Sequence, residues 1–396
     1  MHRLNVLISG ASIAGPALAY WLHRYGHSVT VVEKAPALRP GGQAVDFKGE
    51  THRQVLERMG ILEEVQRRQT GKTDMVIVDD HSRPLATIPG EFTGGDAEIL
   101  RGDLATLLYD RTSGDSEYRF GDSITTLTQT ESGVEVAFQQ AAPRTFDLVI
   151  GADGIHSNVR RLAFGPEEQF VRFLGYYYAV VGGWVADAAA PPNTQRGKGL
   201  MYNLPGRLAW VGGPKAPNMY VFASQQLDYD RNDVAQQKQI VADAFAGVGW
   251  QVPRMLSRLA DAPEFYLDSI SRTDLDHYTT GRVALIGDAA YGNTLGGFGT
   301  GLALVGAYVL AGELAASGGD HHLAFARYNH QMHQYAKIAR KGSAGPFLAP
   351  PTPARIRLRN WTFRFSVPLQ LMMTVTNRYA TDIDLRDYPQ EVKHSA

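Results

Sequence analysis

Apolar residues open the chain in a run, Leu4-Asn5-Val6-Leu7-Ile8-Ser9, that stops at Gly10. Ala17, Leu18, Trp21 and Leu22 then recur at helical spacing, and a second run, Ser28-Val29-Thr30-Val31-Val32, ends on Glu33. A continuous apolar run bounded by turn residues predicts a buried strand, and a 3.6-residue period predicts a helix. The opening therefore reads as strand, tight turn, helix, strand. Residues 50–69 carry a helical stripe of Val55, Leu56, Met59, Leu62 and Val65, broken at Gly60. Strands are predicted over 75–78 and 85–88, a glycine-rich loop over 91–97, and a helix from Arg101 through Tyr109. Short strands follow at 124–127, 134–138 and 146–150. From 171 to 280, short aromatic-rich runs broken by Gly, Pro and Asn predict mainly antiparallel strands, with helices over 231–245 and 250–259. A buried strand over 281–287, a small-residue helix after Gly301, a helix over 320–341, a proline linker and a last basic helix complete the pattern.

The 396 residues exceed one typical domain, and 44% hydrophobic with 20% charged residues describes a globular chain with a sizeable core. A net charge of −1 gives no basic surface for nucleic acid. The absence of cysteine removes disulfides, thiolate chemistry and Cys-ligated metals. His2 and Arg3 before an apolar stretch mimic a leader peptide, but the periodicity with Gly10 and Gly15 favours a turn. No apolar run reaches about 18 residues, so no stable membrane insertion is expected, and the expected location is cytoplasmic.

Chemistry concentrates where strands end. Gly10 permits a sharp turn and Gly15 permits close helix–strand packing. Ser12 is small enough for a phosphate to approach, and the helix N-terminus presents free N–H groups to a pyrophosphate. Glu33 follows Gly10 by 23 positions, near the spacing of about 20 at which an acid binds ribose hydroxyls. A second strand–turn–helix junction, Gly151-Ala152-Asp153-Gly154, leads to Arg160 and Arg161. A third, Gly287-Asp288-Ala289-Ala290, leads to a loop whose glycines at 296, 297, 299 and 301 expose N–H groups beside a helix start, a site for an anion. Asp288 suits a polyol hydroxyl. Arg101, just before a helix, is either a phosphate ligand or a surface charge.

In the aromatic stretch, strand alternation puts Tyr176, Tyr178, Val180 and Trp184 on one face and Tyr177, Ala179 and Val181 on the other. Such a sheet either lines a pocket for a flat apolar ligand or forms ordinary core. Tyr178, Met201, Trp210, Phe222 and Phe298 are the candidate substrate contacts. His321, His322, His330 and His333 have no acidic or Cys partner at a zinc spacing, so no metal is expected. The last helix, with Arg355, Arg357, Arg359 and Arg364 near Trp361, Phe363 and Phe365, is read as docked on the body with its basic residues in water; a membrane-surface helix is the second reading.

The three junctions, in this order and at these separations, resemble the FAD-dependent class A aromatic hydroxylases of the para-hydroxybenzoate hydroxylase type, in particular tetracycline-inactivating monooxygenases and aromatic-polyketide hydroxylases. The resemblance spans about residues 1–315. It implies an α/β fold: a Rossmann-like FAD-binding domain of the GR2 type, from 1–70, 96–170 and 280–315, interleaved with a mainly antiparallel substrate domain from 71–95 and 171–279. Helices would fill 316–396. The implied cofactor is FAD, with NADPH or NADH as transient reductant. The implied cofactor set is Gly10, Ser12, Ala14, Gly15, Glu33, Lys34, Arg39, Gln43, Arg101, Asp153, Asp288, Gly297, Gly299, Thr300 and Gly301. In such enzymes a flavin C4a-hydroperoxide transfers oxygen from O2 to an aromatic ring, so no catalytic side chain is named. Tyr291, the stretch Asn293-Thr294-Leu295, Gly301 and Gly306 depart from the family pattern, and lost proline with extra glycine is expected to loosen the flavin loop. A reductase or dehydrogenase on the same fold, a flavin-dependent halogenase (without its W-x-W-x-I-P run) and a non-catalytic FAD or ligand binder stay open, as do monomer and homodimer.

Overall fold

Parallel strands carry their C-terminal ends to one edge of a sheet, and that property organises this molecule. The computed structural model describes residues 3–39, 42–182, 197–212, 218–340, 342–364 and 384–388; Trp184, Gly41 and Phe365 lie outside them. A six-stranded sheet runs in the order Thr279–Thr280, Val283–Leu285, Leu148–Gly151, Asn5–Ser9, Ser28–Glu33, Glu117–Phe120. All its pairings are parallel except the first. Gly10, Glu33, Asp153 and Asp288 therefore emerge together at its carboxyl edge, where the strand order reverses around Asn5–Ser9 and a ligand crevice forms.

The helices Ala14–Arg24 and Gly299–Ala316 pack against each other in one core with this sheet. Among the described residues, Gly299–Ala316 is the helix long and apolar enough to cross a membrane, yet 78% of it is buried inside the protein. The stripe over 50–69 forms two helices, Gly49–Arg58 and Leu62–Arg67, separated at Gly60 with φ +66°.

A second, seven-stranded sheet runs Glu264–Thr273, Val171–Gly182, Asn218–Ala223, Arg207–Val211, Gly197–Leu204, Thr73–Val78, Pro84–Ile88. It is antiparallel except where Gly197–Leu204 pairs with Thr73–Val78. Tyr177, Ala179, Val181 and Phe222 pack on one face beneath the helices Val234–Ala244 and Val252–Ser257. Tyr176, Tyr178, Val180, Met201 and Ile270 pack on the other, with Leu295 of the glycine-rich loop and Phe363 of the last helix. That helix, Pro353–Arg364, corrects one expectation. Arg359 is buried rather than in water, and donates to the carbonyls of Phe347 (2.9 Å) and Leu348 (3.1 Å) and to Asn203 Oδ1 (2.7 Å).

Candidate functional site

The first turn has no room for a side chain at Gly10 or Gly15. Gly10 has φ +110°, and a Cβ there would stand 2.4 Å from the Ala152 carbonyl oxygen; one on Gly15 would stand 1.9 Å from the Gly10 oxygen. The first two junctions are thus packed backbone to backbone. Glu33 closes the turn from the neighbouring strand: its carboxylate accepts the N–H groups of Ala11 and Ala35, both at 2.8 Å. Each oxygen keeps a lone pair for a further donor. Ser12 and Ala14 lie in the same turn, with Ala14 against Gly287 of the third junction. Lys34 and Arg39 are exposed just beyond Glu33.

Asp153 holds the second junction together. It accepts from the Ser157 and Ser9 hydroxyls and from the N–H groups of Asn158 (2.9 Å) and Val159 (3.0 Å), so its carboxylate caps a helix. From that helix, Arg160, fully buried, donates to the Ala289 carbonyl at 2.9 Å and ties the second junction to the third.

Asp288 and Arg101 place opposite charges within reach of each other. Both side chains are open to solvent, and protein crowds the Asp288 carboxyl. This crowding raises the Asp288 carboxyl above its ordinary range, and the Arg101 charge opposes the shift. Arg101 is presented by a two-stranded sheet, Ala44–Phe47 with Ala97–Leu100, that brings the Gln43 carbonyl to its N–H at 3.2 Å. The Arg101 charge also opposes the burial-driven rise of the Tyr178 and Tyr266 hydroxyls. Gly297, Phe298, Gly299 and Thr300 start the helix Gly299–Ala316, whose first N–H groups have no intrahelical acceptor. A Cβ on Gly299 would lie 3.3 Å from Asp288 Oδ1, so loop and acid share one concavity.

The unusual residues are closely packed. A Cβ on Gly306 would meet the Tyr291 hydroxyl at 1.8 Å, and one on Gly301 would meet the His52 ring at 2.1 Å. The two glycines are sockets for those rings. Thr273 N–H donates to the Gly292 carbonyl (2.8 Å) and Thr294 N–H to the Ser271 carbonyl (3.0 Å), stitching the loop to the long edge strand. Leu295 holds φ +58°, a left-handed conformation costly for a branched residue. The Gly301 position is thus explained by His52.

Of the candidate substrate contacts, Tyr178, Met201 and Trp210 share the sheet face that also packs Leu295. The Trp210 indole N–H is buried without a hydrogen-bond partner among the described residues. Phe222 stands apart: it pairs with Tyr177, stacks on it at 5.7 Å, and faces Phe245 on the opposite, helix-covered side. Of the helix histidines, His333 stacks on Tyr278 at 4.7 Å and His330 meets Gln334 at 3.2 Å. Sequence reasoning missed His156, whose two ring nitrogens each face a carboxylate. Its partner Asp268 is 112 residues away, so no local spacing could reveal it.

The residues fit FAD. Gly10 and Gly15 leave the backbone of the first turn bare, the Glu33 carboxylate keeps acceptor capacity beyond its two N–H donors, and Asp288 and Arg101 stay exposed to solvent. The sequence profile described as "FAD binding domain" matches residues 3–340. The chain is 43% identical over 340 residues to an uncharacterised protein of Mycobacterium tuberculosis, covering 84% of this chain and 91% of that one. It is 35% identical over 351 residues to a flavin-dependent monooxygenase of Legionella longbeachae, covering 86% and 87%. The crystal structure of the tetracycline destructase Tet(51) superposes with a TM-score of 0.81 at 30% identity, covering 98% of this chain and 99% of that one. The chain belongs to the class A FAD-dependent monooxygenases.

Proposed function

We propose that this enzyme hydroxylates an aromatic or polyketide-like small molecule, taking electrons from NADPH or NADH and oxygen from O2. The observation that carries the substrate class is the sheet face bearing Tyr178, Met201 and Trp210. It is apolar and aromatic, and Leu295 of the glycine-rich loop and Phe363 of the last helix pack on it. Such a face suits a flat multi-ring ligand. The structural relative Tet(51) is named a tetracycline destructase, which agrees in substrate class.

On this reading, Gly10, Ser12, Ala14 and Gly15 cradle the pyrophosphate, Glu33 binds the adenosine ribose, and Asp288 binds the ribityl chain. Arg101 neutralises phosphate charge, while Lys34, Arg39 and Gln43 border the adenosine end. The N–H groups of Gly297, Gly299 and Thr300 face the isoalloxazine. Asp153 and Gly301 act from behind, as helix cap and as socket. Phe298 contacts substrate or ring at the loop tip. FAD supplies electron transfer and oxygen activation; the protein orients it, excludes water and aligns the substrate. The division into FAD-binding segments 1–70, 96–170 and 280–315 and substrate segments 71–95 and 171–279 is part of the same proposal.

The test is oxidation of NADPH and NADH by the FAD-loaded enzyme with a panel of phenolic polyketides, tetracyclines included. Substrate-stimulated oxidation with an oxygenated product supports the reading. Oxidation that no member stimulates, with all electrons recovered as hydrogen peroxide, opposes it.

A further inference from the structure

Two carboxylates directly opposite each other on paired strands repel, and the two-stranded sheet that presents Arg101 holds such a pair. Asp46 stands opposite Glu98 in the register of Ala44–Phe47 with Ala97–Leu100. Their neighbours Val45, Phe47, Ala97 and Ile99 are buried in the core, so strand alternation turns Asp46 and Glu98 to the other face, where both are half-buried. The chain crosses that face twice. It passes Thr70 on its way into the seven-stranded sheet at Thr73, and it returns through Gly94 and Gly95 after the strand Pro84–Ile88. Each crossing is bonded to one of the acids. The Thr70 hydroxyl donates to Glu98 Oε1, and the Gly95 N–H donates to Asp46 Oδ1 at 3.1 Å. A Cβ on Gly95 would stand 2.1 Å from the Phe47 carbonyl oxygen, and one on Gly94 would stand 3.3 Å from Glu98 Oε2 and 3.7 Å from Asp46 Oδ1, so the returning chain lies against the pair. Asp46 and Glu98 are also hydrogen-bonded to each other. A bond between two carboxyl groups exists only while one of them keeps its proton, because ionised carboxylates accept and do not donate.

We propose that Asp46 and Glu98 are positioning residues of the cofactor site: they share one proton, and that proton locks the two strands carrying Gln43 and Arg101 to both crossings, so that its loss weakens the hold on FAD. The proposal rests on the reading above of Arg101 as a ligand of the FAD phosphates. The lever between pair and ligand is short. Ala44 pairs with Leu100, the next residues bring the Gln43 carbonyl to the Arg101 N–H at 3.2 Å, and a Cβ on Gly42 would stand 3.6 Å from Arg101 Cβ. Burial, with the Glu98 charge second, raises the Asp46 carboxyl to about 7. Below that pH the pair carries one negative charge and its internal bond. Above it, one proton leaves for solvent, the bond is lost, and two negative charges repel each other and the pyrophosphate that Arg101 attracts. The other charged groups around the pair are fixed by their own contacts. Lys48, next along the strand, opposes the rise of Asp46. Asp96 and Asp74 accept the N–H groups of Gly49 at 2.8 Å and Gly90 at 2.9 Å, and Lys72 lies against Gly90 on the incoming crossing. His52 is pushed down to about 4 by burial and is neutral in this range.

The test dilutes the FAD-loaded enzyme at pH values from 6 to 8.5 and reads the fluorescence of released flavin, which gives Kd without turnover. The Kd of the parent should rise about tenfold across this range. Asp46→Asn keeps an N–H donor for Glu98 but has no proton to lose, so its Kd should stay at the parent's pH 6 value throughout. Asp46→Ala loses the bond and should bind FAD more weakly than Asp46→Asn already at pH 6. A flat parent profile, an Asp46→Asn profile that rises as the parent's does, or Asp46→Ala binding as tightly as Asp46→Asn overturns the proposal. Lys48, Lys72, Asp74 and Asp96 remain in these variants, so a rise that they cause persists in Asp46→Asn. If Asp46→Asn does not fold, Glu98→Gln serves instead and should show the same flat profile, whereas a rise like the parent's overturns the lock. Infrared spectra of the FAD-loaded enzyme at pH 6 supply a second readout: the parent should show a protonated carboxyl band that Asp46→Asn lacks, and identical spectra overturn the shared proton. Arg101→Gln should raise Kd at every pH. An unchanged Kd in that variant would instead overturn the reading of Arg101 as a phosphate ligand, so the two failures are distinguishable.

Discussion

Asp288 and Gly306 show how differently single residues serve one site. Asp288 leaves its carboxylate open to solvent just after a buried strand, where it can accept from a ligand's hydroxyl groups. Asp288→Ala should weaken FAD binding by about tenfold to a hundredfold, the worth of a hydrogen bond to a charged group. Flavin absorbance after purification and a fluorescence titration measure it; a variant that purifies fully loaded contradicts the assignment. Gly306 acts on packing instead. Gly306→Ala forces a methyl against the Tyr291 hydroxyl and should cost about 1–3 kcal/mol, as overpacking does. Removing that hydroxyl with Tyr291→Phe should recover part of the loss, so the double variant should be more stable than the two single losses summed. Additive losses in denaturant midpoints would show that the ring and the glycine do not share one socket.

At the scale of elements, the core helix Gly299–Ala316 organises what packs around it. Its Glu313, fully buried, accepts from Gln331 (2.6 Å), Tyr388 (2.7 Å) and Arg386 (3.1 Å), and the Tyr388 ring lies where a Cβ on Gly312 would stand. The segment Asp384–Tyr388 is thus strapped to the core, and Tyr388→Ala should cost about 3 kcal/mol in chemical denaturation. A cost near zero would show that the strap is not an energetic part of the fold. Which elements the sequence reveals follows from how local their cause is. The three glycine–acid junctions were legible because each needs only a strand, a turn and a helix start in one stretch. The strands Ala44–Phe47 and Ala97–Leu100 were not read as strands, since four residues give too few alternations, and their pairing across about fifty residues is what defines them. Phe222 and Tyr178 share a sheet but not a face. Alternation orders the residues within one strand, whereas the register Tyr177↔Phe222 that relates two strands belongs to tertiary structure. The solvated reading of Arg359 failed similarly: nothing near it in sequence announces the Asn203 and carbonyl acceptors that bury it.

At the scale of the molecule, two sheets meet, and the charges between them make their junction sensitive to pH. His156 comes from the turn after the parallel sheet and Asp268 from the edge of the other. Unfolded, the imidazole titrates near 6.5; folded, its carboxylate bonds outweigh burial and raise it to about 9. Its contribution to stability is therefore complete below about 6.5 and is lost as pH rises through about 9. Melting temperatures should fall across that window, and His156→Gln should flatten the fall; parallel curves for both proteins would contradict the clasp. The larger claim is that this junction encloses an oxygenation site. The most direct measurement supplies the FAD-loaded enzyme with NAD(P)H, labelled oxygen gas and a panel of aromatic polyketides, and weighs the products. One labelled oxygen atom is expected in at least one polyketide, with the other recovered in water. Label found only in hydrogen peroxide across the panel, with NAD(P)H consumed, would contradict it.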